Sequence, residues 1–520
     1  METPQNPYQI PAEYADYTRR LIMYTTQARA RVARIDQALR AYDAKTVVPD
    51  FQLGNLRVRS RYIGDPEVSV AEVISDVAPQ EFAADWVFEP DVRLRLLATP
   101  NDPLYREQWA LQKVQAEGAW DRVAQTHGNR PPVVVAIVDS GAKADHEDFL
   151  NSAGVTTVGG TRVLAPAGAN FADDTGHGTM LTGIVAAVSN NRVGISGIGS
   201  LPVPGAGMPN ISVINAYEIK IDDARNPPTA LPAAIGFLLA ANQGARVINA
   251  SWHVLDPGFL YYAISGISTL ARPILVVAAA GNQGRDNDKI PTLPASYRGS
   301  VRGGTPLDNL ISVMASDEND NKCWFSNYGT TVDLAAPGKD VLSTSLYFAN
   351  PPRPPTPIYS PAYRQTSGTS AAAAFVSAAA GLLLAIDDWS PAEIRNHLVA
   401  SADLVPNLQG AGRPGRRLNL RRAVRGPFSI TQPAAGAHLP AGSTFTVQWS
   451  NEYQAPIVSS VEISFRDANA PSTVLGGVAG GLGNTGAAAV TVPGPTAHAL
   501  IRVRCEQKNI YADSDIFTIV

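Results

Sequence analysis

The sequence predicts an α/β protein: a three-layer domain with a central parallel sheet, preceded by an N-terminal helical region and followed by a C-terminal β-sandwich. Three observations predict it. From Pro132 to about Leu384, short β-branched runs alternate with helical patterns, the rhythm of a parallel sheet covered on both faces. The runs themselves are nearly continuous in apolar residues, as strands buried on both sides must be. After Gly426 the helical patterns stop, and short alternating runs punctuated by Gly, Pro and Asn take over. With 520 residues and ~150 per domain, two to four domains are expected. The composition breaks divide the chain into 1–98, 99–426 and 427–520.

In chain order, Tyr14, Tyr17, Leu21, Tyr24, Ala28, Val32, Ile35, Leu39 and Tyr42 recur every three or four residues. That spacing predicts one apolar stripe on a long helix, packed on this protein or against a protein partner. The strands of the middle domain are VVVAIV (133–138), SVINAYEIK (212–220), RVINAS (246–251), ILVVAAA (274–280) and LISVMA (310–315), with helices over 229–243 and 257–270. SAAAAFVSAAAGLLLAI (370–386) is short and Ala-rich for a membrane span, which predicts a buried core helix instead. The six arginines between Arg413 and Arg425 read as a solvated helix face, and GGVAGGLGNTGAAA (476–489) as a Gly/Ala loop. Trp449 reads as core of the sandwich.

Composition excludes several function classes. Lys plus Arg number 42 against 46 Asp plus Glu, a net charge of −4, and only 17% of residues are charged. Binding of nucleic acid through bulk charge is not expected. Two cysteines, Cys323 and Cys505, build neither a disulfide framework nor a Cys-rich zinc site. METPQNPYQIPAEYADYTRR has no apolar stretch of the secretory kind, so a cytoplasmic location is the first expectation.

Chemistry concentrates at four places. His177, in DDTGHGTM (173–180), has glycines on both sides that let a substrate backbone approach, and a helical run behind it. A helix N-terminus does not favour an imidazolium, so the ring needs a carboxylate partner. Asp139, ending the first strand in D-S-G, is the candidate. Ser370, in SGTSAAAA (367–374), opens the apolar helix, so its backbone N–H and the helix dipole face developing negative charge. Asn282, in AAAGNQG, sits on the turn after a strand, where its amide can donate to an oxyanion.

Each fragment alone is weak. Together, in the order Asp139, His177, Asn282, Ser370, they make a subtilisin-type arrangement, and residues 99–426 resemble a subtilisin-like serine peptidase, a subtilase, of the thermitase-like branch. NDPLYREQWALQKVQAEGAWD (101–121), VINASW (247–252), PASY (294–297), LISVMASDENDN (310–321), FSNYG (325–329) and VDLAAPGKDVLST (332–344) carry the rest of the resemblance. It implies a three-layer subtilisin-like fold and a serine endopeptidase working on protein or peptide substrates. It also implies substrate contacts at Ser251, Trp252, His253, Ala280 and Gly281. Met180, Ala371, Ala374, Phe375 and His253 depart from the usual residues, which bears on pocket shape and leaves the reaction class intact.

The same resemblance implies a structural calcium ion held by Asp102, Asp148 and Asn191, with backbone carbonyls of Val188, Val193 and Ile195; the oxygen set suits a hard cation. DWVFEPDVRLRLLATP (85–100) resembles the tail of a subtilase prodomain, which implies that 1–98 restrains the enzyme as in a zymogen. With ITQPAAGAHLPAGSTFTVQW (430–449) and DSDIFTI (513–519), the C-terminal module resembles Ig-like sandwiches of cell-surface and secreted proteins. The subtilase resemblance implies export, which stands beside the cytoplasmic expectation. The rival functional reading is a binding or adaptor protein, in which the sandwich or the N-terminal helix does the work and the peptidase fold is a scaffold.

Overall fold

The computed structural model describes residues 99–520 apart from 151–155, 164–170, 203–209, 222–227, 255–257, 300–303, 347–361, 411–414, 427, 435, 452–458, 469 and 515. Before residue 99 it describes 17–25, 39–40, 51–53, 56–62 and 87–92.

The apolar runs of the middle domain are strands. They are β1 (Val133–Asp139), β2 (Gly159–Arg162), β3 (Ile214–Lys220), β4 (Val247–Ala250), β5 (Leu275–Ala279), β6 (Leu310–Ser316), β7 (Leu334–Pro337), β8 (Asp403–Leu404) and β9 (Arg416–Arg417). They form one sheet in the order β8-β9-β7-β6-β5-β4-β1-β3-β2, parallel throughout except for the β8–β9 edge.

The helices are α1 (Trp109–Lys113), α2 (Ala116–His127), α3 (His177–Ala186), α4 (Ala230–Asn242), α5 (Phe259–Ser268), α6 (Thr369–Ile386), α7 (Pro391–Ser401) and α8 (Leu420–Val424). The two-residue period of a strand sorts the core into two layers. Val135 and Ile137 pack with α2, α3, α6 and α8 on one face, while Ala136 and Val138 pack with α4 and α5 on the other.

Chain order reverses at β1, which lies between β4 and β3. Open parallel sheets carry their ligands at the carboxyl ends of strands beside such a reversal. α6 is the run that resembled a membrane span in length, and every one of its residues is buried. Its small side chains let it lie close to the sheet: a Cβ on Gly381 would come within 2.5 Å of Ile214.

Three expectations are corrected. The helix over 14–42 does not hold at 17–25. Tyr17–Thr25 is a strand in a four-stranded antiparallel sheet with Phe51–Leu53, Leu56–Tyr62 and Val87–Val92. Between the stripe positions Leu21 and Tyr24 the chain is also apolar, at Ile22 and Met23, and pairing with distant strands overrode the helical period. Of the stripe beyond it, Leu39 alone is described, and it is buried.

Most of the Gly/Ala stretch is strand, with a bend only at 484–486: Ala470–Gly483 pairs with Ser460–Asp467 through four register shifts, with Gly476, Gly477 and Gly481 at positive φ. Glycine at a bulge is what lets such a strand keep its ladder.

The arginines are not simply a solvated face. The Arg417 side chain is 8% exposed and clasps Asp320, at 2.8 Å, and Asp403, while Arg422 reaches Asp403 at 3.3 Å. Asp320, from the acidic loop DEND, is thereby paired as well.

The remaining strands, from Phe428–Gln432 to Phe517–Ile519, form two sheets around Trp449, Phe465, Val503 and Phe517. One apolar cluster runs unbroken from the layer of α2, α3 and α6 into this sandwich. At the junction the Asn509 N–H donates to Asp387, just past the end of α6, and Lys508 pairs with Glu393 of α7 at 3.1 Å. The Arg122 and Arg502 guanidinium groups lie 3.3 and 3.5 Å from the Tyr511 ring centroid. Burial lowers Arg122 to about 10.

Candidate active site

β1 ends in Asp139, which is 5% exposed. Its Oδ1 accepts from the Ser140 N–H at 2.8 Å and from His177 Nδ1 at 2.7 Å. A carboxylate can only accept, so it holds the proton on Nδ1 and leaves Nε2 as the basic atom.

His177 is the first residue of α3, and that helix start is tied down by Asp173. The Asp173 carboxylate accepts from the N–H groups of Thr175, Gly176 and Thr179 and from Ser140 Oγ. Ser140 Oγ in turn accepts from the Gly178 N–H at 2.9 Å. Glycine is needed at 178 because a Cβ there would sit 2.1 Å from the Gly141 carbonyl oxygen. Asp173 and Ser140 were not singled out from the sequence. An acid placed ahead of a Thr-bearing helix start is an N-terminal capping signal that could have found the first of them.

Ser370 is the second residue of α6 and is 8% exposed. Its hydroxyl donates to the Ser251 carbonyl at 3.1 Å. Asn282 follows β5, and its Oδ1 accepts from Thr369 N and Oγ1 at 2.9 and 2.8 Å. That pair of bonds sets the amide's orientation and leaves Nδ2 to donate. A Cβ on Gly368 would stand 3.4 Å from Asn282 Nδ2 and 3.7 Å from Ser370 N. Two donors therefore border the side of Gly368 that carries no side chain, at the positive end of a long helix. Such a convergence of donors can hold an oxyanion.

The expected substrate contacts are placed differently from one another. Ser251 lies against Ser370, its Oγ 3.2 Å from the Ser370 carbonyl oxygen. Trp252 turns inward: its Nε1–H donates to Val138 O at 2.8 Å and its ring stacks on Phe237. His253 is exposed. Ala280 is buried and commits both backbone groups, to Val313 O and to Asn287 Nδ2. Gly281, at φ +110, donates to Thr369 Oγ1.

The residues expected to hold calcium gather around one loop. Asp102 accepts from the N–H groups of Asn190 and Asn191, and Asp148 from Asn191 Nδ2 at 3.0 Å and the Ile195 N–H at 2.8 Å. The Val188 N–H donates to the Asp148 carbonyl, and the Val193 N–H to Asn191 Oδ1. Asp102 and Asp148 are 4% and 0% exposed, and among the described residues no Lys, Arg or His forms an ion pair with either. Burial pushes Asp148 up to about 8 and raises Asp102. Two buried carboxylates without a counter-charge, meeting at one loop, fit a hard cation. Among the described residues no group of three or more His, Cys, Asp and Glu suits a metal. The buried histidines His127, His146 and His397 each meet a backbone carbonyl instead.

Comparison with known proteins agrees with this geometry. Residues 131–413 match the Subtilase family, more than half of the chain. Thermitase of Thermoactinomyces vulgaris is 34% identical over 333 residues, covering 63% of this chain and 99% of that protein. Subtilisin Savinase of Lederbergia lenta is 32% identical, covering 58% of this chain and 95% of that protein. Halolysin of Haloferax mediterranei is 33% identical over 61% of this chain, which spans 54% of halolysin's length. The parallel sheet, the Asp139–His177 pair at its carboxyl edge and these matches lead to one statement: the chain belongs to the subtilase family of subtilisin-like serine endopeptidases.

Proposed function

We propose that this chain cleaves peptide bonds through an acyl-enzyme on Ser370. The observation that carries the reading is the 2.7 Å contact of His177 Nδ1 with the buried Asp139. It leaves Nε2 to take the hydroxyl proton as Ser370 Oγ attacks the substrate carbonyl. Asn282 Nδ2 and the Ser370 N–H receive the oxyanion. His177 then returns the proton to the leaving amine, and water attacks the acyl-enzyme by the same route in reverse. A fluorophosphonate probe should label the protein at Ser370 and fail to label Ser370→Ala. Equal labelling of the two would end this reading.

Asp102, Asp148 and Asn191, with the Val188, Val193 and Ile195 carbonyls, would hold calcium, which neutralises the buried acids and adds stability by mass action. The expected result is a lower unfolding midpoint on chelation, restored by added calcium, with no such response in Asp148→Asn. The pH dependence follows from the raised carboxyl. Without the ion, the folded protein carries a proton on Asp148 up to about pH 8, whereas the unfolded chain releases it near ~4. The metal-free protein should therefore lose stability as pH rises through that window, and calcium should bind more tightly there. A midpoint indifferent to both chelator and pH would count against the site.

Restraint by residues 1–98 belongs to the same reading. The plug we expect is Arg93–Pro100, entering the cleft as an added strand; its residues 93–98 lie outside the described residues. Residues 99–520 alone should turn over a small peptide faster than the full chain, and 1–98 added in trans should slow them. Equal rates would count against restraint. Export is favoured over the cytoplasmic alternative, since the relative from Natrialba magadii is named an extracellular serine protease.

A further inference from the structure

A carboxyl group that takes no part in the chemistry above lies beneath the triad. Glu218, in β3, pairs across with Ile137 of β1 and Gly160 of β2 and is fully buried. Its Oε1 accepts from Thr182 Oγ1, on the second turn of α3. Its Oε2 is buried and has no hydrogen-bond partner among the described residues. A Cβ built on Gly178 would stand 3.2 Å from that oxygen, so Oε2 lies close under the residue that follows His177.

We propose that Glu218 is a positioning residue for the reaction: through Thr182 it braces the helix that carries His177 against β3, the neighbour of the strand that carries Asp139. This rests on the peptidase reading. Leu181, Ile184 and Val185 of α3 pack in the core layer on this face of the sheet, and a side-chain bond from the second turn to a central strand limits sliding along the sheet. A displacement of about 1 Å in a catalytic group can cost on the order of 100-fold in rate.

The brace works as a neutral acid. The groups facing Glu218 are Thr182, Gly178 and the His177 turn from α3, Asp139 from β1, and Asp173 from the loop before α3, with Gly160 opposite on β2. Two of these are carboxylates with donors of their own. Lys220, further along β3, spends its ammonium group on the Ser140 and Ala172 carbonyls and on Asp174. With one donor, no touching cation and two like charges nearby, the carboxyl keeps its proton. Burial drives it in the same direction, well above the ordinary range. A neutral Glu218 adds no charge of its own beneath the imidazole that Asp139 holds.

The test measures kcat, KM and the acid limb of the kcat/KM profile for Glu218→Gln, Glu218→Ala and Thr182→Val. Gln keeps the shape and the acceptor, so its kcat should stay within about twofold and its limb should not move. Ala and Val should each lower kcat by about tenfold with KM unchanged. Thr182→Val removes only the donor and serves if the Ala variant does not fold. Unchanged kcat in both Glu218→Ala and Thr182→Val, even with a lower unfolding midpoint, would overturn the positioning role. A downward shift of the limb by half a unit or more in Glu218→Gln would mean that the group is ionised, and would overturn the neutral brace. Failure of the peptidase reading would be seen separately, as Ser370→Ala activity equal to that of the parent.

Discussion

Replacing Ser370 by Ala is expected to lower kcat by about 10⁶-fold, the scale set by triad knockouts in subtilisin, a relative of this chain. His177→Ala should cost about as much, and the double variant little more, because a nucleophile without its base and a base without its nucleophile are equally idle. The structure supports that coupling. Asp139, held by Ser140, fixes which imidazole nitrogen is basic, and the Asp173 cap fixes where the ring starts its helix. Residual turnover of about 10³–10⁴ over water should survive from binding and the oxyanion donors. Hydrolysis of a small chromogenic peptide measures all three variants. Additive losses, with the double variant far below either single one, would show that the two residues do not act as a unit.

The second largest loss is expected at Asn282. Asn282→Ala should lower kcat by about 10²–10³-fold with KM nearly unchanged, because the donor meets charge that exists only in the transition state. Its strength comes from preorganisation, since Thr369 holds Oδ1 with two bonds and turns Nδ2 outward. Gly368→Ala provides an independent arm. Its methyl would stand 3.4 Å from Asn282 Nδ2, crowding the oxyanion position while leaving both donors in place. It should also lower kcat. If Asn282→Ala stayed within threefold of the parent, the oxyanion would have to be held elsewhere.

The sequence by itself determined the parallel sheet, and it singled out Asp139 and Asn282 at or just past two strand ends and His177 and Ser370 at two helix starts. Strands buried on both faces are written locally, as unbroken β-branched runs, and all five sequence-read segments are strands in the sheet. The apolar run after Ser370 was legible as a core helix for the same reason: its burial follows from its own composition.

Tertiary structure decided what depends on distant partners. Tyr17–Thr25 shows a helical spacing and yet pairs as a strand, because ladders to 56–62 and 87–92 outweigh a local period. Arg417 looked like part of a charged face until two aspartates, Asp320 and Asp403, closed on it from other segments. The Asn282 amide takes its direction from Thr369, 87 residues away, and Glu218 reads from sequence as one polar residue on an apolar strand. Apolar burial is a property of a segment and leaves a period in the chain. The partner, orientation and protonation of a buried polar group are set by atoms that only folding brings within reach.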